Sequence, residues 1–574
     1  MAIQSANPPS IRTLQNWKGL NQQARRGSIS DDEEWWNENV FAIGIGALRS
    51  CWGIGDPKVP IYTVDDPRFG HAPGTRILRI FFGFIGSATA EFQAPPPGRF
   101  GWMFLSDGTI DQVDLDTQNV TLIRATKGTS TTVPPQVWEP LPPFYWACCK
   151  VWRPQFFGNV AGQVGGVLFG SPCGMFAWDG TTLSEPGSGP PGTTPPPAYP
   201  SDVAPDWLTD AAELTPEAPP FYMPTGLPGI YCMEVYNNRL WVAGKDVISY
   251  SAPSNGADFS TTGGGGSMGY FGDRLTYTFM DLAQSAGYLY VFGDSSTDVI
   301  SNVQLTGTGT TSSPFSTAFN YQNLDPQVGH RFPRPVGRVG RHFIQANGAG
   351  VYMTTGGDAQ PIGDKLTNTW VTLDTSAYLP TMATATMFGF RVLLVNGRFT
   401  DPFGVTRNLI LMWHPVTGQP FWSVASQGLE LTNIGYYEQD SIMTPYGTDG
   451  VSLYQLFAKP DLTLIKMLST KALRGQEGVD LLTIKNFKRI YMELHDNDGR
   501  GVSFTGTHTT GGGGIPGGVE DIGFDLTEGA KFDIIPCPIQ GMGIWGAVDL
   551  TSYSPDFTIE RLHIAAEERT FFGA

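Results

Sequence analysis

Gly265-Gly266-Ser267-Met268-Gly269 has the Gly-x-Ser-x-Gly spacing that, between a buried strand and a helix, lifts a serine into a nucleophile elbow. Here Thr261, Thr262 and further glycines precede the serine, so the match is read as a loop. The same run, 263–266, is followed by no Gly-Lys-Ser/Thr and no helical pattern, which leaves it without the anchor of a phosphate loop. His495-Asp496-Asn497-Asp498-Gly499 opens like a calcium loop. It lacks the third carboxylate position and the closing glutamate, so a hairpin turn is expected. The histidines (His71, His330, His342, His414, His495, His508, His563) are dispersed, with neither H-x-x-x-H nor H-E-x-x-H, and give a metal site no support. Cys51, Cys148, Cys149, Cys173, Cys232 and Cys537 contain no C-x-x-C and are read as buried, reduced thiols. Arg331, Arg334, Arg338 and Arg341 could touch phosphate, or pair with carboxylates across a subunit or domain boundary. Arg25-Arg26-Gly27-Ser28 is read as a solvated turn rather than a phosphorylation site. The residues therefore predict no catalytic, metal or cofactor-binding group, and no enzyme.

The elements that carry these residues are short strands. At 574 residues the chain is too long for one ordinary core. Only 16% of it is charged, against about 25% in globular chains, and 71 glycines with 45 prolines punctuate it heavily. Helix-length amphipathic patterns are scarce, so the fold class is mainly β. A net charge of −17 argues against a protein that grips nucleic acid, which needs a basic footprint, and suits a surface past which DNA slides. The first residues show neither a basic nor an apolar signal-peptide region. The longest apolar run, 77–85, contains Arg79 and is too short to span a bilayer, so a soluble chain outside ordinary secretion is expected.

Between 288 and 370 two hairpin units follow each other. Apolar residues flank a Gly-Asp-Ser-Ser turn in the first, and Asn347-Gly348 joins 342–346 to 350–353 in the second. Similar units centre on 104–115, 167–183, 239–251, 391–413 and 443–457, the later ones about fifty residues apart. Such units bury themselves by stacking on copies of themselves, which predicts a β-propeller core with inserted loops. Ser106-Asp107-Gly108-Thr109 resembles a β-turn aspartate motif of sialidase-like propellers, without its spacing or closing tryptophan. The expected domains are an extended, short-helix segment over 1–60 that docks to a neighbouring ring, a propeller over 61–460, a connector over 461–482, and a β-sandwich-like domain over 483–574. The helix is expected to begin near Ser30, where Asp31 to Glu34 suit its positive end. A proline-rich insertion at 184–228 reads as an extended excursion, and the glycine runs 263–266 and 511–514 as loop tips.

LYVFGDSSTDVIS (289–301), Val328-Gly329, PRPVGRVG (333–340) and GAGVYMTTGGDAQPIGDKLTNTW (348–370) together resemble the core of the tail nozzle proteins of short-tailed bacteriophages. These are the tail tubular B and packaged-DNA stabilisation proteins of podoviruses. LWVAGKDVISYSAPSNGADFS (240–260), RNLILMWHPVTGQPFWSVASQGLELTNI (407–434) and YGTDGVSLYQLF (446–457) fit the same family. So does ISDDEEWWNENVFAIGIGALRSCWG (29–53), with its glycine-x-leucine-arginine turn. The proline-rich insertion and the glycine-rich loops depart from the pattern. The resemblance implies a homohexameric ring in the virion tail, assembled in the host cytoplasm, below the phage adaptor ring of the head-to-tail connector. It implies partners among tail fibres, spikes or a needle, and genomic DNA passing through the channel without specific binding. It carries over no catalytic residue and no cofactor. Two other readings stay open: a β-propeller enzyme that degrades surface glycans, and a receptor-binding tail protein.

Overall fold

The computed structural model describes residues 10–84, 99–123, 147–149, 167–184, 232–269, 279–473, 484–512 and 517–569, apart from short gaps at 31, 44–45, 72, 107–108, 172–173, 179–182, 245–246, 254–255, 257–258, 311, 314, 333–335 and 416–419. The proline-rich insertion beyond Ser184, Arg334 and residues 513–514 of the second glycine run lie outside the described residues, as do Asp31, Asp107, Gly108 and Cys173.

Among the described residues, seven antiparallel, four-stranded units follow one another. Blade 1 runs from Ile77–Phe84 to Val120–Ile123, blade 2 from Ala147–Cys149 to Leu183–Ser184, and blade 3 from Cys232–Tyr236 to Gly266–Gly269. Blade 4 runs from Phe279–Ser285 to Ser316–Asp325, blade 5 from Gly337–Val339 to Gln360–Pro361, and blade 6 from Thr381–Met387 to Phe421–Ala425. Blade 7 takes three strands from 433–455, and Tyr62–Thr63, from before blade 1, supplies its fourth by pairing with Ser452 and Leu453. The chain thus closes the ring with its own beginning.

Local chemistry sets the hairpins. Asn237-Asn238, Ala286-Gly287, Phe388-Gly389 and Asp440-Ser441 each join the first two strands of a blade, and all eight residues have positive φ. That is the two-residue turn whose twist matches the flanking strands. Apolar residues on both faces of the strands then fill the gaps between blades. Phe169 meets Trp102 and Phe104 between blades 1 and 2, while Trp102 and Trp178 both donate to Gln112 Oε1 at 2.9 and 2.6 Å. Tyr290, Phe292 and Phe343 pack between blades 4 and 5, and Phe82 stacks on Tyr446 at 4.8 Å between blades 1 and 7. Each fully buried side chain of this kind contributes about 1.5–3 kcal/mol.

A second body grows out of blade 6. The strand Glu34–Glu38 lies beside Phe421–Ala425, and Lys466–Thr470, Trp545–Ser552, Val502–Gly511 and Gly518–Leu526 extend the sheet to nine strands. A second sheet contains Val40–Ala42, Leu48–Ser50, Phe557–Arg569, Ile484–Asp496 and Phe532–Gly543, with Ser10–Leu14 added on Phe557–Arg569. Ile490, Met492 and Ile564 of one sheet share a core with Phe504, Val548 and Leu550 of the other, which makes a β-sandwich.

Three expectations differ from this arrangement. Gly266 and Ser267, read as a loop, lie in the strand Gly266–Gly269 paired with Val247–Tyr250. No helix starts at Ser30: Glu34–Glu38 is a buried strand, because its backbone is claimed by Val424 on one side and by 467–470 on the other. The connector 461–482 includes the strand Lys466–Thr470, so the boundary between the two bodies runs through a shared sheet. Among the described residues the helical piece is Asp364–Leu366 with Thr367–Trp370.

Candidate functional site

The motifs singled out in the sequence fall into structural roles. Ser267 sits inside the outermost strand of blade 3, opposite Ser249, and not at a strand-to-helix turn. Asp496 Oδ1 accepts from the amides of Asp498 and Gly499 at 3.1 and 2.8 Å, and Oδ2 from Gly501 at 2.7 Å, so backbone amides hold this carboxylate in a hairpin turn. Among the described residues, no group of three or more His, Cys, Asp or Glu side chains is placed to hold a metal ion. Cys51, Cys232 and Cys537 are buried free thiols, and burial pushes the Cys51 thiol up to about 12. Arg331, Arg338 and Arg341 are exposed on blade 5, Arg338 over the Phe343 ring at 5.8 Å. Within the described chain none of the three forms an ion pair with a carboxylate.

His71 and Tyr62 both reach Asp111 Oδ2, at 2.8 and 2.6 Å. The trio is buried where blade 7 meets blade 1, so it fastens the ring closure.

One alignment has the order of an acyl-transfer relay. Thr13 Oγ1 lies 2.9 Å from His563 Nδ1, and His563 Nε2 lies 2.9 Å from Glu493 Oε1. Hydroxyl, imidazole and carboxylate in that order can activate a nucleophile. Thr13 and His563 face each other across paired strands on the outer sheet of the sandwich. Phe557–Arg569 is paired on both sides here, by Ser10–Leu14 and by Ile484–Asp496, so strand register fixes His563. The trio therefore fits a cross-strand lock between the two ends of the chain. Sequence reasoning missed it because the partners are 550 residues apart and only strand register brings them together.

The inner strand of blade 6 is packed on both faces. Thr381 to Ala385, on the innermost strand of blade 6, are all buried although alternate residues face opposite sides. Polar groups stitch neighbouring blades: Thr384 Oγ1 donates to Arg338 O at 2.6 Å, Asp281 accepts from Val336 N at 2.8 Å, and Thr386 Oγ1 accepts from Met443 N at 2.9 Å. Arg79 is buried with its guanidinium 4.7 Å from the Phe81 ring. Burial raises the Cys232 thiol well above its ordinary value, with Asp281 adding to the rise and Arg79 opposing it. Groups of both signs thus sit on the first strands of blades 1 and 4.

No family model matches the chain, and no curated protein matches it. Among solved structures, BBS1N in complex with ARL6DN is similar at 11% identity over 68% of this chain and 94% of that one, with a TM-score of 0.34. The Trypanosoma rangeli sialidase matches at 8% identity over 98% and 97% of the two chains, with a TM-score of 0.24. The beta-fructofuranosidase from Schwanniomyces occidentalis matches at 8% identity over 90% and 98%, with a TM-score of 0.20. Likenesses this distant carry no argument about activity or substrate.

Proposed function

We propose that this chain is a structural virion protein, the tail nozzle of a short-tailed phage. In this reading copies of it form a homohexameric ring that retains the packaged genome and passes it during ejection. The observation that carries the reading is the ordered resemblance of segments from 29–53 to 446–457, strongest over 288–370. One physical feature supports it. The net charge of −17 per copy favours a wall that repels phosphate and lets the genome slide. The ring sits below the adaptor, and its outer surfaces meet fibres, spikes or a needle.

Electron microscopy of the intact particle tests the proposal. Density for this fold in a six-fold ring at the distal end of the tail is the expected result. A monomer that cleaves a glycan, or density at a fibre tip, would sink it. Purified protein should also show no salt-sensitive grip on duplex DNA. Binding that falls steeply between 50 and 200 mM salt, as about six or more phosphate contacts would produce, contradicts the sliding wall.

A further inference from the structure

One end of the sandwich carries a cavity of about 350 Å³. Its walls come from Leu462, from Arg500 in the turn before Val502–Gly511, from Ser503 and Thr505 on that strand, and from Tyr553 and Ser554 just after Trp545–Ser552. Strand alternation sets its chemistry. Val502 and Phe504 enter the core, which turns Ser503 and Thr505 outward. Two apolar side chains stand exposed at the cavity, Tyr553 at 58% and Leu462 at 50%.

The hydroxyls around this space are held by backbone. Ser554 Oγ accepts from Ser503 N at 2.9 Å, and Ser552 Oγ donates to Ser503 O at 2.6 Å. Thr551 Oγ1 donates to Thr505 O at 3.1 Å and lies 3.2 Å from Thr505 Oγ1. Ser503 Oγ donates to Asp525 Oδ1 at 2.6 Å and so fixes an exposed carboxylate beside the cavity. The amides of Gly499 and Gly501 donate to Asp496 and order the turn that presents Arg500, whose Nε lies 3.6 Å from Asp498 Oδ2. Hydrogen-bonding capacity is left over. Among the described residues, the hydroxyl protons of Ser554 and Tyr553 have no acceptor, and Asp525 Oδ2 has no donor.

We propose that this cavity binds a neutral saccharide. A sugar ring carries hydroxyls that both donate and accept, and beside them an apolar C–H face. The cavity offers the complement: donors from Ser554, Tyr553 and Arg500, an acceptor in Asp525, and the Tyr553 ring with Leu462 for the C–H face. Charge selects against an anion such as phosphate. Arg500 is already countered by Asp498, Asp525 adds a second carboxylate, and the chain carries −17. A wholly apolar ligand would strip water from these polar groups without replacing it. The volume lies at the lower end of the range for ligand pockets, about 300–1,000 Å³, and strand register preforms the walls. The site belongs to the sandwich and does not rest on the nozzle reading.

The test uses the full-length protein and saturation-transfer NMR. The probes are glucose, galactose, mannose and N-acetylglucosamine at millimolar concentration, each as the monosaccharide and as a tetrasaccharide. The expected result is transfer to the ring C–H protons of at least one of them. Tyr553→Ala should weaken that binding at least tenfold, while Tyr553→Phe, which keeps the ring, should stay within about threefold of the parent. Val519→Ala, at the far exposed end of Gly518–Leu526, is the control and should bind like the parent. Thermal melting checks that each variant folds. A tighter tetrasaccharide supports a site for a glycan chain, and equal binding supports one for a free or terminal sugar. Absence of transfer to every probe overturns the proposal, as does transfer that Tyr553→Ala leaves undiminished or that Tyr553→Phe loses equally. Inorganic phosphate that binds where no sugar does, and is lost with Arg500→Ala, overturns it as well. If Tyr553→Ala melts early, Asp525→Ala replaces it at an exposed position and the same outcomes decide.

Discussion

Arg407 donates to both carboxylate oxygens of Glu38, at 2.6 Å each, and joins the propeller to the strand that leads into the sandwich. The same guanidinium reaches Asp401 Oδ2 at 2.9 Å. Glu38 is fully buried, and a carboxylate there is tolerable only because a planar cation matches it. Arg407→Ala should lower stability by about 3–5 kcal/mol, since it leaves a buried charge without its partner. Arg407→Met combined with Glu38→Leu should recover most of that loss. Urea unfolding followed by tryptophan fluorescence measures both. Equal destabilisation by the single and double variants would contradict the account.

Glu34, four residues earlier on the same strand, is also fully buried but has no arginine. Its neighbours Asp32 and Glu33 are taken by Lys18 and Lys365. Burial pushes the Glu34 carboxyl up to about 8, and a backbone hydrogen bond lowers it only in part. The folded protein thus holds a proton that the unfolded chain releases near pH 4.5. Its stabilising contribution is whole below that pH and is lost as pH rises to about 8, at about 1.4 kcal/mol per pH unit. Glu34→Gln should be more stable than the parent at pH 8, and the difference between the two should shrink steadily towards pH 5. Parallel denaturation curves across this range test it, and a constant difference would refute it.

The strand Glu34–Glu38 also shows where the sequence stops being legible. Its acidic run suits a helix start, and what makes it a strand is pairing with 424 and 467–470, some four hundred residues away. The hairpin expected at Asn347-Gly348 forms one residue later: Gly348-Ala349 make the turn without positive φ, and Asn347 Oδ1 accepts from the amides of Ala349 and Gly350. Ala286-Gly287, Phe388-Gly389 and Asp440-Ser441 adopt one turn in three blades without a shared residue pattern, so the equivalence of the blades emerges only in the backbone. The mainly β class and the presence of stacked hairpins follow from strand periodicity and turn residues, which act locally. The seven-fold closure through Tyr62–Thr63 and the alignment of Thr13, His563 and Glu493 depend on register between distant strands, and no local pattern reports them.

His414 and His508 make the acid side of the fold testable. Within the described chain neither ring nitrogen of either residue has a hydrogen-bond partner. His414 stacks on Phe421 at 4.7 Å with Phe390 and Phe41 around it, and His508 packs 5.0 Å from Phe487. Burial lowers each imidazole to about 4 from an ordinary value of 6.5. Each contributes stability that is present above pH 6.5 and lost as pH falls through about 4. His414→Phe keeps the stacking and removes the titration. It should flatten the acid limb of the stability profile by about 1.4 kcal/mol per pH unit between those values. An acid limb as steep as that of the parent would show that His414 is not the group responsible.

Gly329 is a tight point between blades 4 and 5, inside the stretch that carries the family resemblance. A Cβ at this position would fall well within van der Waals contact of Gly293 O, Asp294 C and Ser295 N, all of them backbone atoms of the blade 4 turn. The approach is held from both sides, by His330 N donating to Gly293 O at 2.7 Å and by Thr297 Oγ1 donating to Val328 O at 3.0 Å. Backbone cannot swing aside as a long side chain can, so Gly329→Ala must push the two blades apart and should cost about 1–3 kcal/mol. Gly357→Ala, where an added Cβ meets nothing within 4 Å, should change stability by less than about 0.5 kcal/mol. The two variants differ by the same methyl group, so their melting temperatures separate crowding from the general effect of removing a glycine. Equal melting temperatures would mean that the blades can part there without penalty.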